Sequence, residues 1–225
     1  MTTATRDGTR LAATWRLLSL GFTPPTEELL DEVEALAEAL DHVAVRDAIR
    51  AAPVAEHAAQ FAALFRGTVL VAPYEGSYEI DPIRQGRQMA DVAAFYRAFG
   101  AEAHGPIPER PDFVSCELEF LAYLELRRLS ALESGEDDAQ LVDEIGDAFL
   151  EDHAGRWLPT FFATVRDEAP SASLYRALAE LGAAVVEDEI ARRGVEPSTL
   201  PRRHARSGVE ADALECGGAA QIRPR

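Results

Sequence analysis

Apolar residues recur every three or four positions along most of this chain, the spacing that places them on one face of an α-helix. The first stripe is formed by Leu11, Trp15, Leu18 and Phe22. Further stripes follow as far as Gly194, and no alternating strand pattern lies outside residues 69–72. The sequence therefore predicts an all-α protein, a single-domain helical bundle of about eight or nine helices.

The longest predicted helix begins near Pro111. Its apolar residues are Val114, Leu118, Leu121, Leu124 and Leu129. A helix of this length and apolarity is expected at the centre of the fold. Residues 68–79 and 101–110 interrupt the helical pattern with prolines and glycines, and they are predicted to be irregular connections. Any binding site is expected on such loops.

The helical pattern stops near the end of the chain. After Gly194 the apolar stripe is lost, and Arg, Gly and Pro become frequent. Segments of this composition cannot bury enough apolar surface to order themselves. We therefore predict a folded domain at residues 1–194 and a flexible C-terminal tail at residues 195–225.

The net charge of −17 restricts the partners that the chain can bind. All 22 basic residues are Arg, and 39 acidic residues outnumber them. A negative field repels nucleic-acid phosphates and anionic lipid, but it attracts a cationic peptide. The same charge also serves simply to keep a protein soluble. We expect no nucleic-acid partner, and the acidity alone leaves peptide binding open.

The sequence carries no signal for export or membrane insertion. Residues 1–10 lack the apolar core of a signal peptide, and no later segment reaches the ~18 uncharged apolar residues of a membrane span. Cys116 and Cys216 belong to no Cys-x-x-Cys pair, which fits a reducing compartment. These features predict a cytoplasmic protein.

The motifs of common catalytic and cofactor sites are missing from the sequence. There is no glycine pattern of a phosphate-binding loop and no Gly-x-Ser-x-Gly nucleophile turn. None of the five histidines follows a Glu by three positions, as it would in a di-iron bundle. We therefore expect no metal, no cofactor and no catalytic activity.

Three titratable residues have two interpretations each. His153 precedes Trp157 by one helical turn, and it is either a structural residue with satisfied hydrogen bonds or part of a site. Glu117 and Glu119 lie among apolar residues of the long helix. Each is either a buried acid with a raised pKa or part of a solvated helix face.

Three short segments carry motifs that occur together in a known family. Residues 73–78 read Pro-Tyr-Glu-Gly-Ser-Tyr, residues 109–121 run from Glu-Arg-Pro-Asp-Phe into Glu-Leu-Glu-Phe-Leu, and residues 149–159 contain Phe, His and Trp at four-residue spacing. In this order and spacing they resemble the TorD/DmsD/NarJ family of redox-enzyme maturation chaperones. Phe113 stands where that family commonly has His, which removes a titratable group from the loop.

The resemblance implies an all-helical chaperone without catalytic activity. Its partner would be the catalytic subunit of a molybdopterin-containing oxidoreductase of the DMSO-reductase superfamily, or the twin-arginine signal peptide of that subunit. The chaperone would hold this client until the molybdenum cofactor is inserted. The residues implied in client binding are Tyr74, Ser77, Tyr78, Glu109, Pro111, Asp112, Phe113, Glu117, His153 and Trp157.

The chemistry of a twin-arginine leader suggests how these residues would act. Guanidinium groups followed by an apolar run require acidic residues beside a hydrophobic groove. We therefore expect a groove bordered by Asp112, Glu109 and Glu117 and walled by Tyr74, Tyr78 and Trp157. Asp112 could instead cap the long helix, and Tyr78 and Trp157 could instead belong to the core.

An acidic helical adaptor unrelated to molybdoenzymes is the alternative function. Acidity and amphipathic helices suit such an adaptor equally well. A monomer and a domain-swapped dimer are both compatible with the sequence.

Overall fold

The computed structural model describes residues 3–66, 69–101, 110–135 and 138–202, and these residues form nine α-helices. The helices are α1 (Thr3–Gly21), α2 (Glu27–Ala39), α3 (Val43–Arg50), α4 (Val54–Phe65), α5 (Pro82–Ala98), α6 (Val114–Ser134), α7 (Asp138–Phe149), α8 (Gly155–Glu168) and α9 (Leu174–Arg193). A short 3₁₀ helix (Glu75–Tyr78) and a π turn (Leu150–Ala154) complete the helical elements of these ranges. The all-α prediction is confirmed.

Several helices begin or end at residues whose type favours a helix end, such as a capping Asp, a Pro in the first turn or a closing Gly. The Asp81 side chain accepts a hydrogen bond from the Ile83 N–H at 2.9 Å, and Pro82 opens α5. Gly194, with a φ of 69°, closes α9 in the left-handed conformation. A glycine directly after an apolar stripe predicts a helix end, but Gly67, which follows α4 in this way, lies outside the described residues. These boundaries follow from capping chemistry that acts within one turn.

The long helix α6 lies at the centre of the bundle, as the sequence predicted. It packs along α1 and against α7. Between Glu117 and Glu125 it buries residues on most of its circumference. The Ser19 hydroxyl donates to the Ser115 carbonyl at 2.9 Å and helps to fix α1 on α6. No helix of the described ranges, α6 included, has both the length and the apolarity of a membrane span.

α8 and α9 approach each other closely because Gly182 has no side chain. A Cβ at this position would lie 2.5 Å from Cζ of Phe162. Around this contact, aromatic rings of α4, α8, α9 and the residue that follows α1 pack with centroids between 5.1 and 6.5 Å apart; they are Phe22, Phe61, Phe65, Phe161, Phe162 and Tyr175. Trp157 extends the cluster, with its ring 5.4 Å from that of Phe161. These aromatic contacts tie α4, α8, α9 and the end of α1 into one core.

The π turn joins α7 and α8 into one helical run, although their apolar stripes, one ending at Phe149 and the other beginning at Trp157, predict two separate helices. A π turn inserts an extra residue into the helix and shifts the direction of the side chains that follow. Gly155 permits it, since a Cβ there would collide with the Leu150 carbonyl oxygen and lie 2.7 Å from Cγ of Pro197. The turn carries His153, whose side chain is buried.

Residues 195–202 pack against α8, although the sequence predicted a tail from residue 195 onwards. The Leu200 N–H donates to the Arg156 carbonyl at 2.7 Å, and the Thr160 hydroxyl donates to the Leu200 carbonyl at 2.7 Å. Arg202 pairs with Asp167 at 2.7 Å. Contacts with α8 thus continue to Arg202, beyond Gly194, where the helical periodicity ends. The flexible tail stays a prediction. Residues 203–225, which include Cys216, lie outside the described residues.

Candidate functional site

The loop that precedes α5 is paired with the segment that enters α6. Tyr74 and Phe113 form an isolated antiparallel bridge. The Glu75 N–H donates to the Asp112 carbonyl at 3.0 Å, and the Val114 N–H donates to the Pro73 carbonyl at 2.9 Å. Because the first N–H groups of a helix have no partner within it, the second bond also satisfies the start of α6. Two of the three sequence motifs thus meet in one backbone contact.

Asp112 is a buried carboxylate that joins these two segments. One of its oxygens accepts the Gly76 N–H at 3.1 Å, and its carboxylate also receives two hydrogen bonds from Arg110, at 2.9 and 2.7 Å. The Arg110 guanidinium lies over the Tyr74 ring, 4.5 Å from its centroid. The residue that precedes α6 is Phe113, and α6 has no side-chain cap. The helix-capping role considered for Asp112 is therefore wrong, because the carboxylate faces the 3₁₀ helix and Arg110.

Glu75 is the residue that connects the third motif to the other two. His153 Nδ1 lies 3.1 Å from Glu75 Oε2, in a geometry where the imidazole N–H donates to the carboxylate. The Gln88 side chain donates to Glu75 Oε1 at 3.3 Å. The other ring nitrogen of His153 faces the exposed Asp91 at 3.5 Å. His153 is thus buried and bonded to Glu75, but its Nε2 has no hydrogen-bond partner among the described residues, so the interpretation as a fully satisfied structural residue stays a prediction.

Glu117 lies beside this contact, and α6 brings it within reach of α8. The Trp157 indole N–H donates to Glu117 Oε2 at 2.8 Å, while Oε1 has no hydrogen-bond partner among the described residues. Burial raises the pKa of Glu117 well above its ordinary value, and the negative charges of Glu75 and Asp112 raise it further against the opposing effect of the indole bond. Each interpretation applies to one of the two acids. Glu117 is the buried acid, whereas Glu119 lies on the solvated helix face and pairs with Arg16 at 2.6 Å.

Aromatic side chains enclose the carboxylates. Tyr78 packs 5.4 Å from the Trp157 ring and donates its hydroxyl to the Ala72 carbonyl at 3.1 Å. The Tyr96 hydroxyl donates to the Pro111 carbonyl at 2.8 Å. Because each hydroxyl finds a partner inside the protein, both tyrosines can be buried. Burial raises the pKa of both tyrosines.

The ten residues implied in client binding therefore divide into three groups. Six are buried, namely Tyr78, Asp112, Phe113, Glu117, His153 and Trp157. Tyr74, Ser77 and Pro111 are partly exposed. Glu109 lies outside the described residues. Four residues expected to line an open groove, namely Asp112, Glu117, Tyr78 and Trp157, are buried and bond to the protein itself in this structure. Their part in client binding stays a prediction.

Sequence reasoning missed four residues that join the three motifs: the buried Glu75, Gln88 and Tyr96 and the exposed Arg110. Glu75 carried a signal, since it is the one acidic residue inside the first motif. Gln88 and Tyr96 carried none, because their partners lie 13 and 15 positions away. In the described ranges, no three His, Cys, Asp or Glu side chains are grouped so that they could hold a metal ion. The arrangement is a set of mutually bonded polar groups that holds three chain segments together.

The fold is that of a known class of helical proteins. A crystal structure described as a redox enzyme maturation protein from Archaeoglobus fulgidus superimposes with a TM-score of 0.57 and 22% sequence identity, covering 78% of this chain and 93% of that chain. A family model described as nitrate reductase delta subunit matches residues 26–163, more than half of the chain. The protein belongs to this nitrate reductase delta subunit family. The resemblance predicted from the three motifs is confirmed, and all three motifs lie inside the matched range.

Two curated relatives are similar over part of their length. The selenate reductase assembly chaperone protein of Thauera selenatis is 36% identical over 95 residues, which is 42% of this chain and 48% of that protein. The chlorate reductase assembly chaperone protein of Ideonella dechloratans is 34% identical over 106 residues, 46% of this chain and 54% of that protein. The matched regions thus span about half of each relative.

Proposed function

We propose that this protein is an assembly chaperone for the catalytic subunit of a molybdenum-dependent oxidoreductase. One observation carries the proposal: the chain shares about a third of its residues, over the matched regions, with two proteins that are both named as reductase assembly chaperones. Membership of the nitrate reductase delta subunit family supports the same role. A helical adaptor unrelated to redox enzymes is disfavoured by these relationships.

In this proposal the chaperone binds the unfinished subunit or its twin-arginine leader in the cytoplasm. It releases the client once the molybdenum cofactor has been inserted, and it catalyses no reaction of its own. The negative net charge supports binding of a basic leader, because an electrostatic field of this sign raises the rate at which a cationic segment arrives.

The proposed client surface lies on the exposed side of the two segments that the buried Glu75 and Asp112 hold together, residues 73–78 and 110–114. Tyr74, Ser77 and Pro111 reach solvent there in part. Ile80 and Ile83 come shortly after the 3₁₀ helix that ends at Tyr78. With exposed fractions of 70% and 68%, they are the most exposed large hydrophobic residues of the described ranges. Exposed apolar residues beside polar ones are typical of protein-binding surfaces. In this proposal the buried carboxylates of Glu75 and Asp112 do not contact the client but fix the positions of the segments that form the surface.

Affinity purification from the native host tests the proposal. Tagged wild-type protein is expected to retain a molybdopterin-containing subunit that mass spectrometry identifies. The double variant Ile80→Asp, Ile83→Asp should lose this subunit while its circular dichroism and Tm stay close to those of the wild type, since both side chains are exposed. Leu126→Asp, Leu132→Asp is the matched control, because both leucines are 54% exposed on α6.

Two results would overturn the proposal. The first is a wild-type preparation that retains no molybdoenzyme subunit under conditions in which the host makes one. The second is a deletion strain in which every molybdenum enzyme reaches full activity. Equal loss of the client in both double variants would leave the function standing but would reject the surface.

A further inference from the structure

Arg110 and Asp112 form an ion pair in which only the cation reaches solvent. The two side chains make two parallel hydrogen bonds, at 2.9 and 2.7 Å. The Arg110 side chain is 48% exposed, whereas Asp112 is fully buried. Arg110 can therefore turn outward and regain hydration, but the carboxylate behind it cannot follow.

Three groups shape the position that the guanidinium occupies. Asp112 presents both oxygens to the fork of N–H donors, and the Tyr74 ring lies 4.5 Å from the guanidinium carbon. Gly76 holds one carboxylate oxygen through its N–H at 3.1 Å. A Cβ on Gly76 would come within 3.0 Å of that oxygen and 3.5 Å of Nη2 of Arg110, so the missing side chain keeps the position open.

A buried carboxylate that loses its cation is costly, and this decides what could replace Arg110. Removal of one partner leaves an uncompensated charge in a medium of low dielectric constant. A second guanidinium would restore both hydrogen bonds and the contact with the ring. An ammonium group would not, because it is a compact point charge without the planar fork.

We propose that Arg110 is an internal occupant of a guanidinium-binding site formed by Asp112, Tyr74 and Gly76, and that an arginine side chain of the client displaces it. The identity of the incoming chain rests on the proposed function, whereas the site rests on the geometry alone. Exchange of one guanidinium for another keeps Asp112 paired throughout. The contact between Arg110 and Asp112 is then autoinhibitory, since a client must compete with a group that is already tethered two residues away.

Rescue of an Arg110→Ala variant by small molecules tests the site. The variant is expected to melt at a lower temperature than the wild type, because Asp112 has lost its cation. N-acetyl-L-arginine amide at ten times its Kd should raise the Tm by about 3 °C or more. N-acetyl-L-lysine amide at the same concentration should raise it far less, and the wild type should respond weakly to both because Arg110 occupies the site.

Two variants separate a specific site from a general effect of charge. Adding Asp112→Asn to Arg110→Ala should abolish the selective response to the arginine derivative. Arg84→Ala is the matched control, because Arg84 is 70% exposed and lies 3.9 Å from a carboxylate that is itself exposed, that of Asp81. It should show no selective response. Selective stabilisation of the Arg84 variant, or equal responses of Arg110→Ala to both compounds, would overturn the proposal.

If Arg110→Ala does not fold, the same comparison is made by refolding it, and the milder Arg110→Gln, in the presence of each compound. Recovery of folded protein with the arginine derivative alone supports the site, and equal recovery with both rejects it. Loss of selectivity together with normal recovery of the molybdoenzyme subunit from the host would reject the site but not the proposed function. Selective rescue by the arginine derivative, without recovery of a molybdoenzyme subunit from the host, would support the site but reject the proposed function.

Discussion

Trp157 donates its indole N–H to the Glu117 carboxyl at 2.8 Å, and neither side chain reaches solvent. This bond joins α6 to α8 across the centre of the protein. It also holds the Glu117 carboxyl in a place where burial, and then the negative charges of Glu75 and Asp112, disfavour its ionisation and raise its pKa. The stability of the protein should therefore depend on the protonation of Glu117.

We predict that Glu117→Gln removes a destabilising effect of high pH. The pKa of Glu117 is raised in the folded state from its ordinary value of 4.5, so the folded protein keeps a proton that the unfolded chain has released. The stabilising contribution is complete below about pH 4.5 and is lost as the pH rises through the folded pKa. The glutamine stays neutral and can still accept the indole N–H.

The measurement is urea unfolding of both proteins between pH 4 and pH 8. The free energy of unfolding of the variant, relative to the wild type, should increase as the pH rises. Glu119→Gln, two positions along the same helix but exposed, is the control and should leave the pH dependence of the wild type unchanged. Parallel curves for Glu117→Gln and the wild type would contradict the prediction.

We predict that Glu75 and His153 contribute to stability through their mutual contact, so that substitutions of the two are energetically coupled. Nδ1 of His153 lies 3.1 Å from Oε2 of Glu75, although the two residues are 78 positions apart in the chain. His153→Ala leaves a buried carboxylate with fewer partners and should lower the free energy of unfolding by about 3 kcal/mol or more. The double variant Glu75→Gln, His153→Ala should cost less than the sum of the two single changes.

Chemical denaturation of the four proteins gives this coupling directly. Asp91→Asn is the control, because Asp91 faces the other ring nitrogen at 3.5 Å but is 65% exposed. Its replacement should cost less than about 1 kcal/mol. Strictly additive effects of the Glu75 and His153 substitutions would show that their contact contributes nothing to stability.

Glu189 is predicted to have the opposite pH dependence to Glu117. Burial alone would raise its pKa, but hydrogen bonds and charges from Arg192 and Arg193 outweigh burial and lower it. The stabilising contribution is therefore present above about pH 4.5 and is lost as the pH falls through the lower folded pKa. The Arg193 guanidinium also donates to Asp147 of α7 at 2.7 Å. It therefore links α9, where it pairs with Glu189, to α7.

Unfolding curves of Glu189→Gln between pH 3 and pH 7 check this prediction. The wild type should exceed the variant in stability at neutral pH, and the difference should shrink towards pH 3. Glu180→Gln removes an exposed ion pair with Arg176 on the same helix and should show no such convergence. A constant difference between Glu189→Gln and the wild type at every pH would be evidence against the role of this carboxylate.

Gly182→Ala should loosen the contact between α8 and α9. The new Cβ would come within 2.5 Å of the Phe162 ring, and overpacking of this kind costs about 1–3 kcal/mol. Phe162→Leu in the same protein should recover part of that loss by making room. Gly86→Ala in α5 is the matched control, since a Cβ there meets nothing within 4 Å and the better helix propensity of Ala should stabilise the protein. A drop in Tm of the same size in both glycine variants would point to a cause other than the helix contact.

The helices of this protein were predictable because their signals are local. Amphipathic spacing places α6 and its neighbours, and the Asp81-Pro82 pair and Gly194 act within one turn of the ends that they determine. The three motifs are local in the same way, since the order and spacing of residues within each short segment were enough to propose them as parts of one site. The amino-acid sequence by itself thus determined the fold class and several helix ends, and it contained the three motifs.

The tertiary structure alone decided which of those residues face solvent and what each one bonds. Asp112 bonds Gly76 from 36 positions away, and Glu117 receives the Trp157 indole N–H from 40 positions away. The π turn that carries His153, and the packing of residues 195–202 on α8, likewise follow from contacts between distant segments. Such partners leave no periodic trace in the chain, because burial and hydrogen bonding between distant residues are fixed only when the helices pack.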